Sequence, residues 1–217
     1  GEESAVLPVV PMFHVNAWGV PYFAPMVGAK IVFPGPKLDG ESLAELINNE
    51  GVTEAWGVPT VWLGLLGHMR KTEQKFTSLK RVLIGGSAAP RAMMREFQEK
   101  YGVEGLQGWG MTEMSPIGTV SMIRPKDADL PLDRQFDIKA KQGRAVFGVE
   151  MKIVNDDGQA LPRDGKSFGE LLVRGPAIIS GYYENPEASA KAFDSEGWFR
   201  TGDVSKIDPE GYMEIVD

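Results

Sequence analysis

Three short segments of the chain combine glycines with hydroxyl-bearing, aromatic or acidic residues, a combination that suits nucleotide binding. They span residues 84–90, 107–113 and 198–203. Glycines and other small residues allow a flat ligand to approach the backbone closely. The first two segments follow apolar runs that read as strands, and ligands of parallel sheets bind at the carboxyl ends of strands. We therefore expect these segments to form a ligand site.

The segment Gln107-Gly108-Trp109-Gly110-Met111-Thr112-Glu113 has the most specific chemistry of the three. The Thr112 hydroxyl can donate to a phosphate oxygen, and the Glu113 carboxylate is a hard oxygen ligand of the kind that Mg²⁺ prefers. The structural alternative is a helix start with Trp109 in the core. The density of uncommon residues favours a functional interpretation.

Asp203 and His14 give weaker signals. The Asp203 carboxylate, between apolar strands, could accept both hydroxyls of a ribose, although an aspartate that shapes a turn is an equal alternative. His14 lies among apolar residues, where a lone histidine is more often structural. His68 is the only other histidine, which excludes a multi-histidine metal site.

The composition is that of a globular chain, with 217 residues, 42% of them hydrophobic and 24% charged. The formal net charge is −7 and there is no Lys/Arg block, which argues against nucleic acid as the main partner. The absence of cysteine excludes a disulfide framework and is compatible with a cytoplasmic location.

Residues 4–29 carry no formally charged side chain, a length that could span a bilayer. Four prolines in this stretch each remove a backbone donor, so we expect a buried strand, a turn and an apolar helix instead. No basic segment precedes the stretch, so it does not resemble a signal peptide. The chain begins at Gly1 without an initiator methionine, and we expect a fragment of a longer protein.

The first half alternates strand and helix patterns, which predicts an α/β fold with a mostly parallel sheet and helices on both faces. The predicted strands are Val6–Val10, Lys30–Phe33, Val52–Val58 and Arg81–Ile84. The predicted helices are Asn16–Val27, one capped by Asp39, one beginning at Pro59 and one opened by Pro90 and stopped near Gly102.

The second half predicts an antiparallel, barrel-like sheet. Its predicted strands are Ala145–Val154, Glu170–Val173 and Tyr212–Val216, and its one predicted helix is Pro186–Phe193. We place the boundary in the polar, proline-containing stretch Ser121–Gly143. The predicted subdomains are therefore residues 1–125 and 126–217.

Seven segments, in order along nearly the whole chain, resemble motifs of the adenylate-forming superfamily, and most closely those of bacterial medium- and long-chain fatty acyl-CoA synthetases. The segments are PMFHVNAW (11–18), GVPTVW (57–62), IGGSAAPR (84–91), QGWGMTE (107–113), GELLVRGP (169–176), SGYYENPEAS (180–189) and WFRTGD (198–203). QGWGMTE followed by RTGD at this separation is highly specific.

The resemblance implies a two-step ligase reaction. A fatty acid carboxylate attacks the α-phosphate of ATP, with Mg²⁺ as cofactor, to form an acyl-adenylate and pyrophosphate. The thiol of coenzyme A then attacks the acyl carbonyl and AMP leaves. Positioning and charge stabilisation dominate such chemistry. The implied partners are small molecules, the implied location is the cytoplasm, and peripheral membrane contact and a homodimer of the intact enzyme stay open.

The resemblance also assigns site residues, with His14, Thr112 and Glu113 as the catalytic set. For the nucleotide, it places Gly86, Ser87 and Ala88 at the adenine, Gln107, Gly108 and Trp109 on its other side, Thr112 at a phosphate and Asp203 at the ribose. Glu113 is the implied metal ligand. For the acyl group, it places His14 near the reacting carboxylate, Trp18 at the tunnel entrance, and Val58, Gly110 and Met111 in the pocket.

Two parts of the family pattern do not occur in this sequence. A Ser/Thr/Gly-rich phosphate loop would lie upstream and a lysine-bearing lid downstream, so we expect the 217-residue chain alone to form no acyl-adenylate. Two other functions stay open. One is an adenylation domain that loads an amino or aryl acid on a carrier protein, and the other is a nucleotide-binding module without chemistry. The apolar stretch 13–18 offers no carboxylate for a substrate amine, which favours the fatty acid.

Overall fold

The computed structural model describes residues 1–216 and contains a seven-stranded sheet with the strand order β2-β1-β3-β4-β5-β6-β7. The strands are β1 (Ala5–Pro8), β2 (Lys30–Ile31), β3 (Glu54–Gly57), β4 (Arg81–Ile84), β5 (Glu104–Gly110), β6 (Ile117–Val120) and β7 (Arg144–Ala145). β1 to β5 pair in parallel, and β6 and β7 continue the sheet in antiparallel pairs. The predicted α/β class with a mostly parallel sheet is confirmed.

Helices cover both faces of this sheet because the strand side chains alternate between two apolar environments. The helices are α1 (Val15–Trp18), α2 (Val20–Met26), α3 (Gly40–Asn49), α4 (Pro59–Thr72), α5 (Arg91–Tyr101) and α6 (Leu132–Lys139). On one face, Leu7, Val82 and Ile84 share a core with residues of α3 to α6. On the other face, Val6 and Leu83 pack with residues of α1 and α2. Burial on both faces explains why these strands read as continuous apolar runs.

Three helix ends follow the predicted signals. The backbone N–H of Ser42 donates to Asp39 Oδ1 at 2.9 Å, which caps α3, and this bond lowers the pKa of Asp39. Pro59 is the first residue of α4, where its missing N–H removes no helical hydrogen bond. α5 ends at Gly102, whose φ of 67° suits glycine.

A second, antiparallel sheet with the order β11-β10-β9-β8 curls into a half-barrel, as predicted. Its strands are β8 (Glu150–Val154), β9 (Phe168–Arg174), β10 (Phe199–Ile207) and β11 (Met213–Ile215), and helix α7 (Pro186–Ala192) lies between β9 and β10. Its buried core includes Met151, Leu171, Phe199 and Met213. Met114 from the first half packs in the same core, so the two sheets meet near residue 114.

The stretch predicted as one helix, Asn16–Val27, forms two elements. Residues 15–18 make a left-handed turn with φ between 46° and 56°, and Gly19, with φ of 80°, separates this turn from α2. The left-handed conformation costs an L-residue roughly 1–2 kcal/mol, so burial of Ala17 and Trp18 must hold the turn in place. Among residues 1–216, no helix combines the length and apolar character needed to cross a bilayer.

The chain passes from the first sheet to the second between β7 and β8. The predicted strand Ala145–Val154 is therefore two strands in different sheets. α6 packs on α5, and Arg91 and Arg95 pair with Asp133 between them. The chain thus enters the second sheet later than the predicted boundary after residue 125. The division into subdomains 1–125 and 126–217 stays a prediction.

Candidate functional site

Two cavities lie side by side at the carboxyl ends of β4 and β5. The first, about 330 Å³, is lined by His14, Val15, Trp18, Leu83, Gly85, Gly86, residues 108–113, Pro116 and Ile117. The second, about 460 Å³, is lined by residues 86–88, residues 107–111, Gln142, Thr201, Asp203 and Ile215. Residues 108–111 belong to both linings and form a partition between the cavities. All three segments singled out in the sequence meet here.

The glycines of the first segment are required by close approaches. Gly85 is buried against Trp18, and a Cβ atom on Gly85 would lie 2.8 Å from the Trp18 Cη2 atom. Gly86 has a φ of 80°, a conformation that glycine adopts without strain. The Ala89 N–H donates to Gln107 Oε1 at 3.0 Å. This bond ties the first segment to the second.

The first part of the second segment is the end of strand β5, whereas the sequence analysis placed the whole segment after a strand. The buried Gln107 N–H donates to Ser121 Oγ at 2.8 Å. Pairing of β5 with β6 shifts register between Trp109 and Gly110. A Cβ atom on Gly110 would lie 1.9 Å from the Pro116 carbonyl oxygen, so only glycine fits. The strand end therefore holds the half-buried Trp109 in the partition.

Thr112 and Glu113 begin a short 3₁₀ helix at the mouth of the first cavity. Thr112 is exposed and Glu113 is half-buried. The Tyr182 hydroxyl donates to Glu113 Oε1 at 3.0 Å, and the Ile179 N–H donates to the Glu113 carbonyl oxygen at 2.9 Å. Burial and the hydrogen bond to the Glu113 carboxylate raise the pKa of Tyr182. The Glu113 turn is thus held by a segment that follows β9.

Asp203 lies within β10 rather than between strands, where the sequence analysis placed it. Pairing of β10 with β9 is irregular between Arg200 and Val204, and Gly202 has a φ of 80°. Such an irregularity bends a strand and redirects a side chain. The Trp109 Nε1–H donates to Asp203 Oδ2 at 2.9 Å, across 94 positions of the chain. This hydrogen bond links the two sheets at the partition.

His14 and Trp18 flank the left-handed turn, and both line the first cavity. His14 is exposed at the rim, whereas Trp18 is buried against Gly85. Val58 lines neither cavity. Instead it packs in the same apolar cluster as Trp18, and a Cβ atom on Gly86 would lie 3.1 Å from Val58 Cγ1. A role for Val58 in an acyl pocket stays a prediction.

The sequence analysis assigned no role to Gln142 or Tyr182. Gln142 is buried, its carbonyl oxygen accepts from Thr119 Oγ1 at 2.5 Å, and its Oε1 accepts from the Ile215 N–H at 2.7 Å. It lies in the polar stretch interpreted as a boundary, where no local signal marks a buried amide. Tyr182 lies in the motif SGYYENPEAS, whose paired tyrosines were the available signal.

The charged groups of the site favour a cation. The described lining residues of both cavities include no Lys or Arg, and their carboxylates are Glu113 and Asp203. Within residues 1–216, no three His, Asp or Glu side chains cluster as a metal site. A cation at Glu113 would therefore need further ligands from the substrate, and Mg²⁺ commonly binds one or two carboxylates plus substrate phosphates. The residues present fit that kind of site.

Sequence comparison finds relatives along the whole chain. A family profile described as AMP-binding enzyme matches residues 1–183. The medium-chain-fatty-acid–CoA ligase of Ectopseudomonas oleovorans is 53% identical over 215 residues. The 3-methylmercaptopropionyl-CoA ligase of Ruegeria lacuscaerulensis is 51% identical over 214 residues. Each match covers 99% of this chain and 39% of the relative, so the chain spans about two fifths of these relatives' length.

Solved structures show the same architecture. The N-terminal domain of FACL13 from Mycobacterium tuberculosis aligns with a TM-score of 0.84 at 29% identity, over 99% of this chain and 51% of that one. The O-succinylbenzoate coenzyme A synthetase of Bacillus subtilis, in complex with ATP and magnesium ion, aligns with a TM-score of 0.82 at 26% identity. That match covers all of this chain and 42% of the other.

Proposed function

Because the chain belongs to the AMP-binding enzyme family, we propose that it forms the nucleotide and acyl site of a ligase that joins a fatty acid to coenzyme A. One observation carries this proposal. The partition 108–111 separates the two cavities, and Thr112 and Glu113 follow it directly in the lining of the first, so a nucleotide in one cavity and an acyl group in the other would approach each other there. The similarity to CoA ligases at about half identity supports the same activity.

The second cavity has the features that an adenosine requires. The small residues 86–88 allow close approach of a flat base to the backbone. Trp109 also lines this cavity, and its indole N–H donates to one oxygen of the Asp203 carboxylate. The carboxylate can then accept hydrogen bonds from ribose hydroxyls. Thr112, exposed beyond the partition, can donate to the α-phosphate.

The reaction proceeds in two displacements. A carboxylate oxygen of the acid attacks the α-phosphorus of ATP, the bond to the β-phosphate oxygen breaks, and pyrophosphate leaves. The coenzyme A thiol, losing its proton, then attacks the acyl carbonyl carbon. The bond from this carbon to the phosphate oxygen breaks, and AMP leaves. Both steps depend on orienting the reacting atoms. His14, at the rim of the first cavity, is the proposed contact of the acid carboxylate where it meets the phosphate.

Glu113 is the proposed protein ligand of Mg²⁺. When bound, the ion neutralises negative charge on the phosphates. Glu113 suits this role because it is half-buried in the lining of the first cavity, directly after the partition, and the described lining residues of both cavities include no Lys or Arg. The similar Bacillus subtilis synthetase was solved in complex with ATP and magnesium ion, which supports Mg²⁺ as the ion that accompanies ATP in this proposal.

The first cavity is the proposed acyl site. Its lining includes Trp18, Leu83, Met111 and Ile117, which are apolar and suited to a hydrocarbon chain. The relative from Ectopseudomonas oleovorans supports a medium-chain fatty acid, while the relative from Ruegeria lacuscaerulensis is a 3-methylmercaptopropionyl-CoA ligase. A cytoplasmic location, a homodimer and peripheral membrane contact stay predictions from the family resemblance.

The decisive experiment is coenzyme A-dependent AMP formation by the complete ligase that carries this chain. Mg·ATP is supplied with straight-chain fatty acids of increasing length, and with amino and benzoic acids as controls. We expect activity to peak among the medium-length fatty acids. Turnover of an amino or aryl acid alone would overturn the acyl assignments of His14 and Trp18 and favour an adenylation domain. Binding of AMP without turnover of any acid would overturn the ligase itself.

A further inference from the structure

Glu113 is held by two hydrogen bonds from the loop between β9 and α7. The Ile179 N–H fixes its backbone, and the Tyr182 hydroxyl donates to Oε1 at 3.0 Å. Among the described residues, none hydrogen bonds to the second oxygen, Oε2. The loop carrying Tyr182 belongs to the second sheet, whereas Glu113 follows the last parallel strand of the first. One carboxylate oxygen is thus occupied by a neighbour, and the other is left for a ligand.

Tyr182 is itself fixed by the start of α7. Its backbone N–H donates to Ser189 Oγ at 2.8 Å, and the same hydroxyl donates to the Asn185 carbonyl oxygen at 2.8 Å. The Asn185 side chain caps α7 by accepting from the Ala188 N–H at 3.0 Å. The phenol ring therefore projects from an anchored backbone. Because the Tyr182 backbone is fixed, its hydroxyl can restrict the position of the Glu113 carboxylate.

We propose that Tyr182 is a positioning residue that keeps Glu113 a one-oxygen ligand and thereby sets the metal preference of the site for Mg²⁺ over Ca²⁺. Mg²⁺ requires near-octahedral geometry with single-oxygen ligands, whereas Ca²⁺ readily takes both oxygens of a carboxylate. A hydroxyl that occupies Oε1 disfavours two-oxygen binding. Hydrogen-bonding partners of metal ligands commonly tune affinity in this way. This inference rests on the proposed function, in which Glu113 binds the metal of Mg·ATP.

The test uses the complete ligase and measures ATP binding by calorimetry without any acid substrate. ATP is titrated into the ligase in three separate experiments, in the presence of Mg²⁺, of Ca²⁺ or of a chelator. The gain in ATP affinity due to each ion is the difference from the experiment with the chelator. For Tyr182→Phe we expect the Mg²⁺-dependent gain to fall by about tenfold. We expect the Ca²⁺-dependent gain to fall less and metal-free ATP affinity to stay unchanged. The matched control is Tyr183→Phe, because Tyr183 is 90% exposed and next in the chain.

A second variant tests whether Tyr182 acts through Glu113. In a Glu113→Gln background, Tyr182→Phe should have no further effect on the Mg²⁺-dependent gain. The inference is overturned if Tyr182→Phe matches Tyr183→Phe, if it lowers the Ca²⁺-dependent gain or metal-free ATP affinity as much as the Mg²⁺-dependent gain, or if its effect persists in Glu113→Gln. A wild-type ligase that binds ATP with no gain from Mg²⁺, or adenylates no acid, would instead overturn the proposed function. Failure of the proposed function is therefore seen in the wild type alone, whereas failure of the inference about Tyr182 is seen only in the variants.

Discussion

At the scale of single residues, the site depends on the hydrogen bond from Trp109 Nε1 to Asp203 Oδ2. An indole N–H can only donate, so this contact orients the Asp203 carboxylate as an acceptor. The same ring forms part of the partition between the two cavities. Trp109 therefore lines both cavities and also orients the Asp203 carboxylate, which lines the second.

Trp109→Phe keeps an aromatic wall but removes the donor to Asp203. We expect AMP binding by the complete ligase to weaken by about 1 kcal/mol, or about fivefold, since the lost bond is to a charged group at a half-buried position. Calorimetric titration with AMP measures the change. Trp198→Phe is the control, because Trp198 packs between Lys152 and Arg174 and lines neither cavity. Equal AMP affinity in both variants would contradict the role given to this bond.

At the scale of elements, the site is presented by strand ends whose positions depend on the helices packed behind them. α3 and α4 meet on the face of the sheet opposite α1 and α2. At their crossing, a Cβ atom on Gly40 would lie 2.5 Å from the Gly64 carbonyl oxygen. Gly64 lies in the exposed interior of α4, where a Cβ atom would meet no atom within 4 Å. A methyl group would therefore clash at Gly40 but would meet no neighbouring atom at Gly64.

Alanine substitutions at these two glycines should change stability in opposite directions. Gly64→Ala is expected to raise the free energy of unfolding by about 0.5–1 kcal/mol, because it reduces the conformational freedom of the unfolded chain. Gly40→Ala is expected to lower it by about 1–3 kcal/mol, because the new methyl group forces the helices apart. Urea denaturation of the complete ligase measures both. A Gly40→Ala variant as stable as Gly64→Ala would show that the helices do not meet this closely.

At the scale of the whole molecule, a few side-chain contacts join the two sheets across the site. One cluster lies outside the cavities, where Lys126 and Arg124 contact Glu210 in the turn before β11. The Lys126 hydrogen bond, at 2.9 Å, and the Arg124 contact lower the pKa of Glu210 from 4.5 to about 2. A lowered folded-state pKa stabilises the folded state above the unfolded value, and the effect is lost as the pH falls through the folded value.

Glu210→Gln should therefore lower the melting temperature only where Glu210 is ionised. We expect a small difference from wild type above about pH 4.5 that shrinks and disappears near pH 2. Thermal unfolding between pH 2 and 7 measures it, and added salt should reduce it. Glu187→Gln, which removes an exposed pair within α7, is the comparison. A difference that persists at pH 2 would contradict an electrostatic origin.

The chain alone, residues 1–217, is expected to release no pyrophosphate from ATP in the presence of a fatty acid. The described lining of the two cavities includes no Lys or Arg, so nothing there besides a cation at Glu113 offsets the charge of the phosphates. A coupled pyrophosphate assay checks this, with the complete ligase as positive control. Fatty-acid-dependent release by the 217-residue chain would show that these residues suffice for adenylation.

Local sequence signals predicted most of the elements that build the site. Asp39, Pro59 and Gly102 mark helix ends where the structure has them, and the strand 81–84 is found as predicted. Errors concentrate where local signals conflict with packing. The apolar stretch 15–18 looks helical but forms a left-handed turn, in which Ala17 and Trp18 are buried by tertiary packing.

The sequence by itself determined the fold class, the family resemblance and the three glycine-containing segments, because strand periodicity, capping and close backbone approaches depend on residues near one another in the chain. Only the tertiary structure decided which of these residues touch. It paired Trp109 with Asp203, placed Asp203 in a bulged strand and brought Tyr182 to Glu113. These contacts join residues up to 94 positions apart, so they arise from the packing of two sheets rather than from any local pattern.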